Sequence, residues 1–130
     1  MKKLANDVGL LTLRVGFAGI LAVSYGWYKV THFSELLPGF PDPLGVGATV
    51  SLILAVLNEF LFPIAIVLGI FTRWVTVPVL LTMLIATFIV HAHDPWAKQE
   101  LALLYTIPFV TVLLSGPGRL SLDFLIRKKS

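Results

Sequence analysis

Residues 47–71 form a run of 25 in which fifteen are Leu, Ile, Val or Phe and only one, Glu59, is charged. This run decides what solvent the chain can fold in. Each of the fifteen favours insertion into a bilayer by roughly 0.3–0.6 kcal/mol. One charge at a helix centre costs about 2.5–3.5 kcal/mol on the same scale. The apolar residues outweigh the acid, so the segment predicts a membrane-spanning helix with a carboxyl group in its middle.

A span needs about 20 mainly apolar residues, and three further stretches fit or approach that length. Residues 8–28 carry one charge, Arg14; residues 74–92 carry no acid, Lys or Arg; residues 101–115 are shorter, with room for a turn at either end. Over the whole chain 13% of residues are charged and 57% apolar. A soluble domain carries about a quarter charged residues, and one this small has too much surface to hide the apolar excess. The expected fold is therefore an all-α integral membrane protein: one domain over residues 1–130, a four-helix antiparallel transmembrane bundle. There is no cysteine, which excludes disulfides and thiolate metal or redox sites. No haem-ligand pair, flavin motif or nucleic-acid-binding pattern is evident.

Orientation follows from the loops. Four crossings leave Lys2, Lys3, Arg73, Arg119, Arg127, Lys128 and Lys129 on one side and only Lys29 and Lys98 on the other. The positive-inside rule puts the first group, and both termini, in the cytoplasm. Trp27, Tyr28 and Trp96 then mark the outer interface and Trp74 the inner one. The N-terminus also has the parts of a signal peptide, with Ala22-Val23-Ser24 as a cleavage site. Arg14 interrupts its apolar region, however, and cleavage would leave three spans with Arg73 and the basic C-terminus on opposite sides. The one long loop, residues 31–46, holds Pro38, Gly39, Pro41, Pro43 and Gly45, which keep it from being a regular helix. It lies on the outer side, free to fold over the bundle. Gly116-Pro117-Gly118 ends the last span, and Ser121 can cap a short interfacial helix ending in Arg127, Lys128 and Lys129.

Ionisable groups inside a membrane need partners. Pro63, four residues after Glu59, has no N–H to give to the Glu59 carbonyl, which predicts a distorted helix with a spare acceptor beside the acid. Two readings stand side by side. Glu59 either faces a cation, donor or ligand, or pairs with Arg14 to hold two helices together. The pairing has a geometric difficulty: at 1.5 Å per residue, Arg14 lies about 9 Å and Glu59 about 18 Å from the cytoplasmic end. The outer mouth collects Tyr25, Tyr28, Lys29, His32, His91, His93, Asp94 and Glu100. Arg14, Ala18, Leu21, Tyr25 and Lys29 share one helix face, so the stripe can line a polar cleft opening outward. His91, His93 and Asp94 give a weak metal pattern, because H-x-H residues on a helix do not share a face.

The runs Leu13-Arg14-Val15-Gly16 and Gly26-x-x-Lys29 resemble the first helix of the DoxX family of small bacterial inner-membrane proteins. The resemblance continues through Phe40-Pro41-Asp42-Pro43, Glu59, Leu68-Gly69-Ile70-Phe71-Thr72-Arg73, His91, Glu100 and Gly116-Pro117-Gly118-x-x-Ser121-Leu122-Asp123. It departs at Tyr25, where family members often carry His. The resemblance implies a multi-pass protein of the bacterial inner (plasma) membrane, with Arg14, Lys29, Glu59, His91 and Glu100 at family polar positions. It also implies a quinone-linked or redox-complex-associated role. In that reading the chain is a subunit of a quinone-dependent oxidoreductase: Lys29, His91 and Tyr25 donate hydrogen bonds to a quinone, Glu59 exchanges protons, and a partner subunit brings the electrons. The alternative is a non-catalytic scaffold, assembly factor or binder of a small lipophilic ligand. A proton or ion transporter ranks third, since only one acid lies mid-span. Substrate, partner subunits and oligomeric state stay open at this level.

Overall fold

A computed structural model of the protein describes residues 2–129, and its regular elements are all helical. They are α1 (Lys2–Thr31), α2 (Phe33–Leu36), α3 (Ala48–Leu68), α4 (Thr72–Val90), α5 (Trp96–Ser115) and α6 (Leu122–Lys129). Among the described residues, α1, α3, α4 and α5 are the helices long and apolar enough to cross a membrane. They form a ring: α1 packs on α3 and α5, and α4 packs on the same two from the other side. The side chains of Lys128 and Lys129, expected among the interfacial charges, lie outside the described part.

Several ends differ from the expected ones, each for a local reason. The helix α1 runs through its polar first turns, because Asp7 is tied down there by Arg119. The helix α5 starts at Trp96, directly after Pro95, so it gains more than a turn over residues 101–115. The helix α3 stops at Leu68 rather than running to residue 71. Gly69 takes a left-handed conformation with φ 76°, and the Ile70 N–H reaches back to the Ala65 carbonyl, the wrap that closes many helix C-termini.

Three spans share an irregularity that hydrophobic periodicity does not reveal. Each widens into a π turn, at Ala22–Gly26, Leu57–Leu61 and Ala86–Val90. The defining bonds run from the Trp27, Phe62 and His91 amides to the Ala22, Leu57 and Ala86 carbonyls, five residues back. Such single-turn bulges are rare and recur at functional sites. In α3 the bulge sits directly ahead of Pro63, where the sequence predicts distortion, and it contains Glu59. The α1 and α3 bulges pack on each other, and Gly26 makes that approach feasible. A Cβ there would lie 2.2 Å from the Glu59 carbonyl oxygen.

The core is Ala18, Leu21, Ile66, Val79, Met83, Tyr105 and Phe109. The outside is apolar too, with Val23, Phe88, Ile107 and Leu114 among many exposed large side chains, as a lipid-facing surface requires. Hydroxyls inside the spans are satisfied locally. Thr76, Thr87 and Thr106 each donate to the carbonyl four residues before them, so none needs water.

The end carrying both terminal segments is clamped shut. Arg14, 1% exposed, donates from Nη1 to the Ile66 and Val67 carbonyls at 2.8 and 3.0 Å and from Nη2 to the Leu120 carbonyl at 2.5 Å. A cation at the C-terminal turn of α3 also meets the negative end of that helix's dipole. Asp123 accepts from the Phe71 and Thr72 amides and the Thr72 hydroxyl at 2.7–2.9 Å, capping α4. Burial pushes the Asp123 carboxyl up, but the Thr72 bonds and the Phe71 amide outweigh it and hold it below the ordinary carboxylate value. The Gly-Pro-Gly-x-x-Ser-Leu-Asp run is thus a strap across this end.

Gly26→Ala is predicted to destabilise the bundle by about 1–3 kcal/mol, read as a lower thermal midpoint in detergent by circular dichroism. Gly9→Ala, where a Cβ would meet nothing within 4 Å, is the matched control and should leave the midpoint unchanged or raise it, since Ala favours a helix interior over Gly.

Candidate ligand cavity

At the opposite end the ring opens into a cavity of about 490 Å³ bounded by all four spans. Its walls are mostly aliphatic and aromatic, with Leu54, Leu81, Met83, Ile85 and Leu101 among the lining. One wall is polar. Lys29 of α1 donates from Nζ to Glu59 Oε1 of α3 at 2.8 Å, with side-chain exposures of 18% and 12%. The partner of the mid-span acid is therefore Lys29, one helix turn beyond the α1 bulge.

The pairing of Glu59 with Arg14 is not what forms. Arg14 is held by backbone carbonyls at the clamped end, and it does not line the cavity. Among the described residues its Nε has no partner. The carbonyl of Glu59, expected as a spare acceptor beside the acid, packs against Gly26.

Of the other residues picked out by sequence, Tyr25 and His91 line the cavity with Lys29 and Glu59, whereas Glu100 is exposed and outside it. The Lys29 Nζ sits 5.8 Å from the centre of the Tyr25 ring, within reach of a cation–π attraction. Tyr25 in turn meets Tyr105 edge to face, centroids 6.1 Å apart at 89°. His91 bonds through Nδ1 to Asp94 Oδ2 at 2.6 Å at the rim, and that bond, more than any other contact, holds the Asp94 carboxyl below its ordinary range. Among the described residues no group of three His, Asp or Glu side chains comes together to hold a metal, and His93 does not join the His91–Asp94 pair.

Two more features shape the cavity, one that the sequence reading misses and one, the long loop, that it expects to fold over the bundle. The first is Asn58, which lines the wall beside Glu59 and is 8% exposed; its Oδ1 is buried without a hydrogen-bond partner among the described residues. A carbonyl acceptor left unpaired in an apolar setting costs about 1–3 kcal/mol. A signal for it exists: an Asn in mid-span is nearly as anomalous as the acid next to it. The second is the roof. Phe40, Pro41, Pro43 and Leu44 of the long loop close over the cavity. Asp42 ties them down by accepting from the Val46 and Gly47 amides and the Ser51 hydroxyl at 2.8–2.9 Å. The Gly47 amide first, then the Ser51 hydroxyl, holds the Asp42 carboxyl below its ordinary value.

The family assignment rests on the matched segment. A model of the DoxX family aligns with residues 9–92, the stretch that supplies Lys29, Asn58, Glu59 and His91. The chain belongs to the DoxX family. Among DoxX-related proteins it is similar to the Escherichia coli inner membrane protein YqjF, 30% identical over 141 residues and 99% of both chains. It is also similar to an uncharacterized Haemophilus influenzae protein, 27% identical over 135 residues, covering 98% of this chain and 89% of the relative. No solved structure matches. With its four spanning helices, this DoxX member is a multi-pass inner-membrane protein. Glu100 and the Gly-Pro-Gly strap lie beyond the segment that the DoxX model matches.

Two outcomes are expected. Because the Asp42 carboxyl sits below its unfolded value near 4, its hold on the roof is complete above that value. The hold is lost as pH falls through the lower folded value. Hydrogen exchange at the Val46 and Gly47 amides should therefore accelerate, relative to intrinsic rates, below about pH 4, and Asp42→Asn should show that acceleration at neutral pH. For the ion pair, Lys29→Met and Glu59→Gln should each cost about 3–5 kcal/mol by stranding the other partner. The double variant should cost less than their sum, measured by unfolding in mixed micelles.

Proposed function

We propose that the protein is a quinone-linked membrane subunit, its cavity taking up the headgroup of a lipophilic quinone and working beside an oxidoreductase partner that delivers the electrons. The observation that carries this reading is a mostly apolar cavity among the four spans, with Lys29, Glu59 and Asn58 set together on one side of it. Pockets of this size and composition suit drug-sized apolar ligands oriented by a few polar groups.

The wall offers fitting chemistry. Lys29 has three N–H donors and spends one on Glu59, leaving others for a headgroup oxygen. Glu59, held at the end of the same bond, is placed to pass a proton to or from that oxygen through Lys29. Tyr25 and Tyr105 bring aromatic rings to the cavity, and the Asn58 amide Nδ2, a donor, offers a second bond to a headgroup oxygen. A quinone bound here would contribute two-electron, two-proton exchange; this chain's part is to orient it, exclude water and handle its proton. In the proposed orientation the clamped, basic end faces the cytoplasm and the cavity opens outward.

A second reading has its own support. The Lys29–Glu59 pair is complete by itself, so the cavity can equally serve a non-catalytic binder of a lipophilic molecule or a scaffold within a membrane complex.

Binding of a short-chain quinone to the purified protein, followed by quenching of tryptophan fluorescence, tests the proposal. Saturable binding is expected, weakened about tenfold by Asn58→Leu at unchanged fold, the loss of roughly one good hydrogen bond. Absence of saturable binding in the wild type would remove the quinone reading. Binding without electron transfer in membranes containing the partner complex would favour the binder.

A further inference from the structure

The clamped end carries a second concavity, of about 510 Å³, lined by the start of α4, the Gly-Pro-Gly strap and α6. Its chemistry is unlike that of the first. Three guanidinium groups border it, Arg73, Arg119 and Arg127, alongside the apolar side chains of Trp74, Phe124 and Ile126. Two acids stand against these three cations. Asp123 is bonded to the Phe71 and Thr72 amides that cap α4, and Asp7 accepts from Arg119 Nε and the Arg119 amide. The groove therefore presents an excess of positive charge over an apolar floor.

Its depth is equally informative. Arg73 and Trp74 open α4 just where that span begins, and Trp74 is 82% exposed, as suits a ring at the headgroup level of a bilayer. The Arg73 guanidinium uses one donor, Nη2, on the Leu114 carbonyl at 3.3 Å. It lies against Gly116, where a Cβ would come within 3.2 Å of Nη2. The strap's glycine thus gives the guanidinium its seat, and the planar fork keeps further N–H groups for a bidentate oxyanion.

We propose that this groove is a binding site for one anionic phospholipid, its phosphate held by Arg73 and Arg119 and its upper acyl chain lying on Trp74 and Phe124. Charge complementarity and interfacial depth together select this occupant. A soluble anion would leave the apolar floor uncovered, and a zwitterionic lipid would set its own cation beside the arginines.

The test uses the full chain reconstituted in phosphatidylcholine bilayers with trace spin-labelled phosphatidylglycerol or spin-labelled phosphatidylcholine. The motionally restricted fraction of each label gives the relative association. The wild type should prefer the anionic label, and Arg73→Gln should lower that preference about fivefold, the worth of one interfacial cation. Arg73→Lys, which keeps the charge but not the fork, should lose less. Lys2→Gln with Lys3→Gln removes two charges from the same end, outside the groove, and should leave most of the preference intact. Equal association of the two labels in the wild type, an equal loss in the Lys2/Lys3 variant, or displacement of the lipid label by inorganic phosphate would each overturn the proposal. Arg119 is tied to Asp7, so thermal midpoints accompany any Arg119→Gln measurement, and the decisive variant is the one at Arg73.

Discussion

Hydrocarbon offers no water to hydrogen-bond with, so every charge and polar group that enters it must find its partner inside the protein. That constraint organises this bundle. Glu59, deep in α3, is matched by Lys29 of α1. Arg14, deep in α1, is matched by the carbonyls that end α3 and by that of Leu120. The two charged contacts join the same pair of helices at opposite ends, and the π bulges set the geometry of the upper one. Gly26 lets the two bulges touch, which brings α1 close enough for a lysine one turn later to reach the acid.

The result is a bundle with unlike ends. One is tied together by Arg14, Asp7–Arg119 and Asp123, all drawing the C-terminal strap onto the spans. The other is open, with a loop for a roof and an apolar interior beneath it. A closed floor under a lipophilic cavity suits a site that takes a ligand from the membrane or the outer face.

How much of this is legible in the sequence differs by kind of contact. The four spans are, because their signal is the sum of many residues, and the resemblance to the DoxX family holds over residues 9–92. Tyr25, Lys29 and His91 stand out as polar residues at one mouth and Glu59 as the acid in mid-span, and the four share a cavity. Partner choice stays open between two readings in the sequence, and the one in which Glu59 faces a cation is the one that forms. Arg14 and Glu59 look like natural partners on charge alone, but a helix C-terminus offers Arg14 a set of carbonyls at its own depth, and no side-chain pattern announces backbone acceptors. The π bulges are invisible for a related reason. One inserted residue leaves composition unchanged, and only Pro63 hints at it. Asn58 is masked by the charge beside it. Glu100 enters on motif position alone and lies outside the cavity.

The joining of α1 to α3 at the open end depends on the Lys29–Glu59 contact existing in a bilayer. Solid-state NMR on protein reconstituted in lipid, with ¹⁵N-lysine and ¹³C-glutamate labels, measures it directly through the dipolar coupling between Lys29 Nζ and Glu59 Cδ. A strong coupling is expected, at the separation of a direct ion pair within about 4 Å. A Glu59 carboxyl without coupling to Lys29, and coupled instead to labelled Arg14, would contradict it.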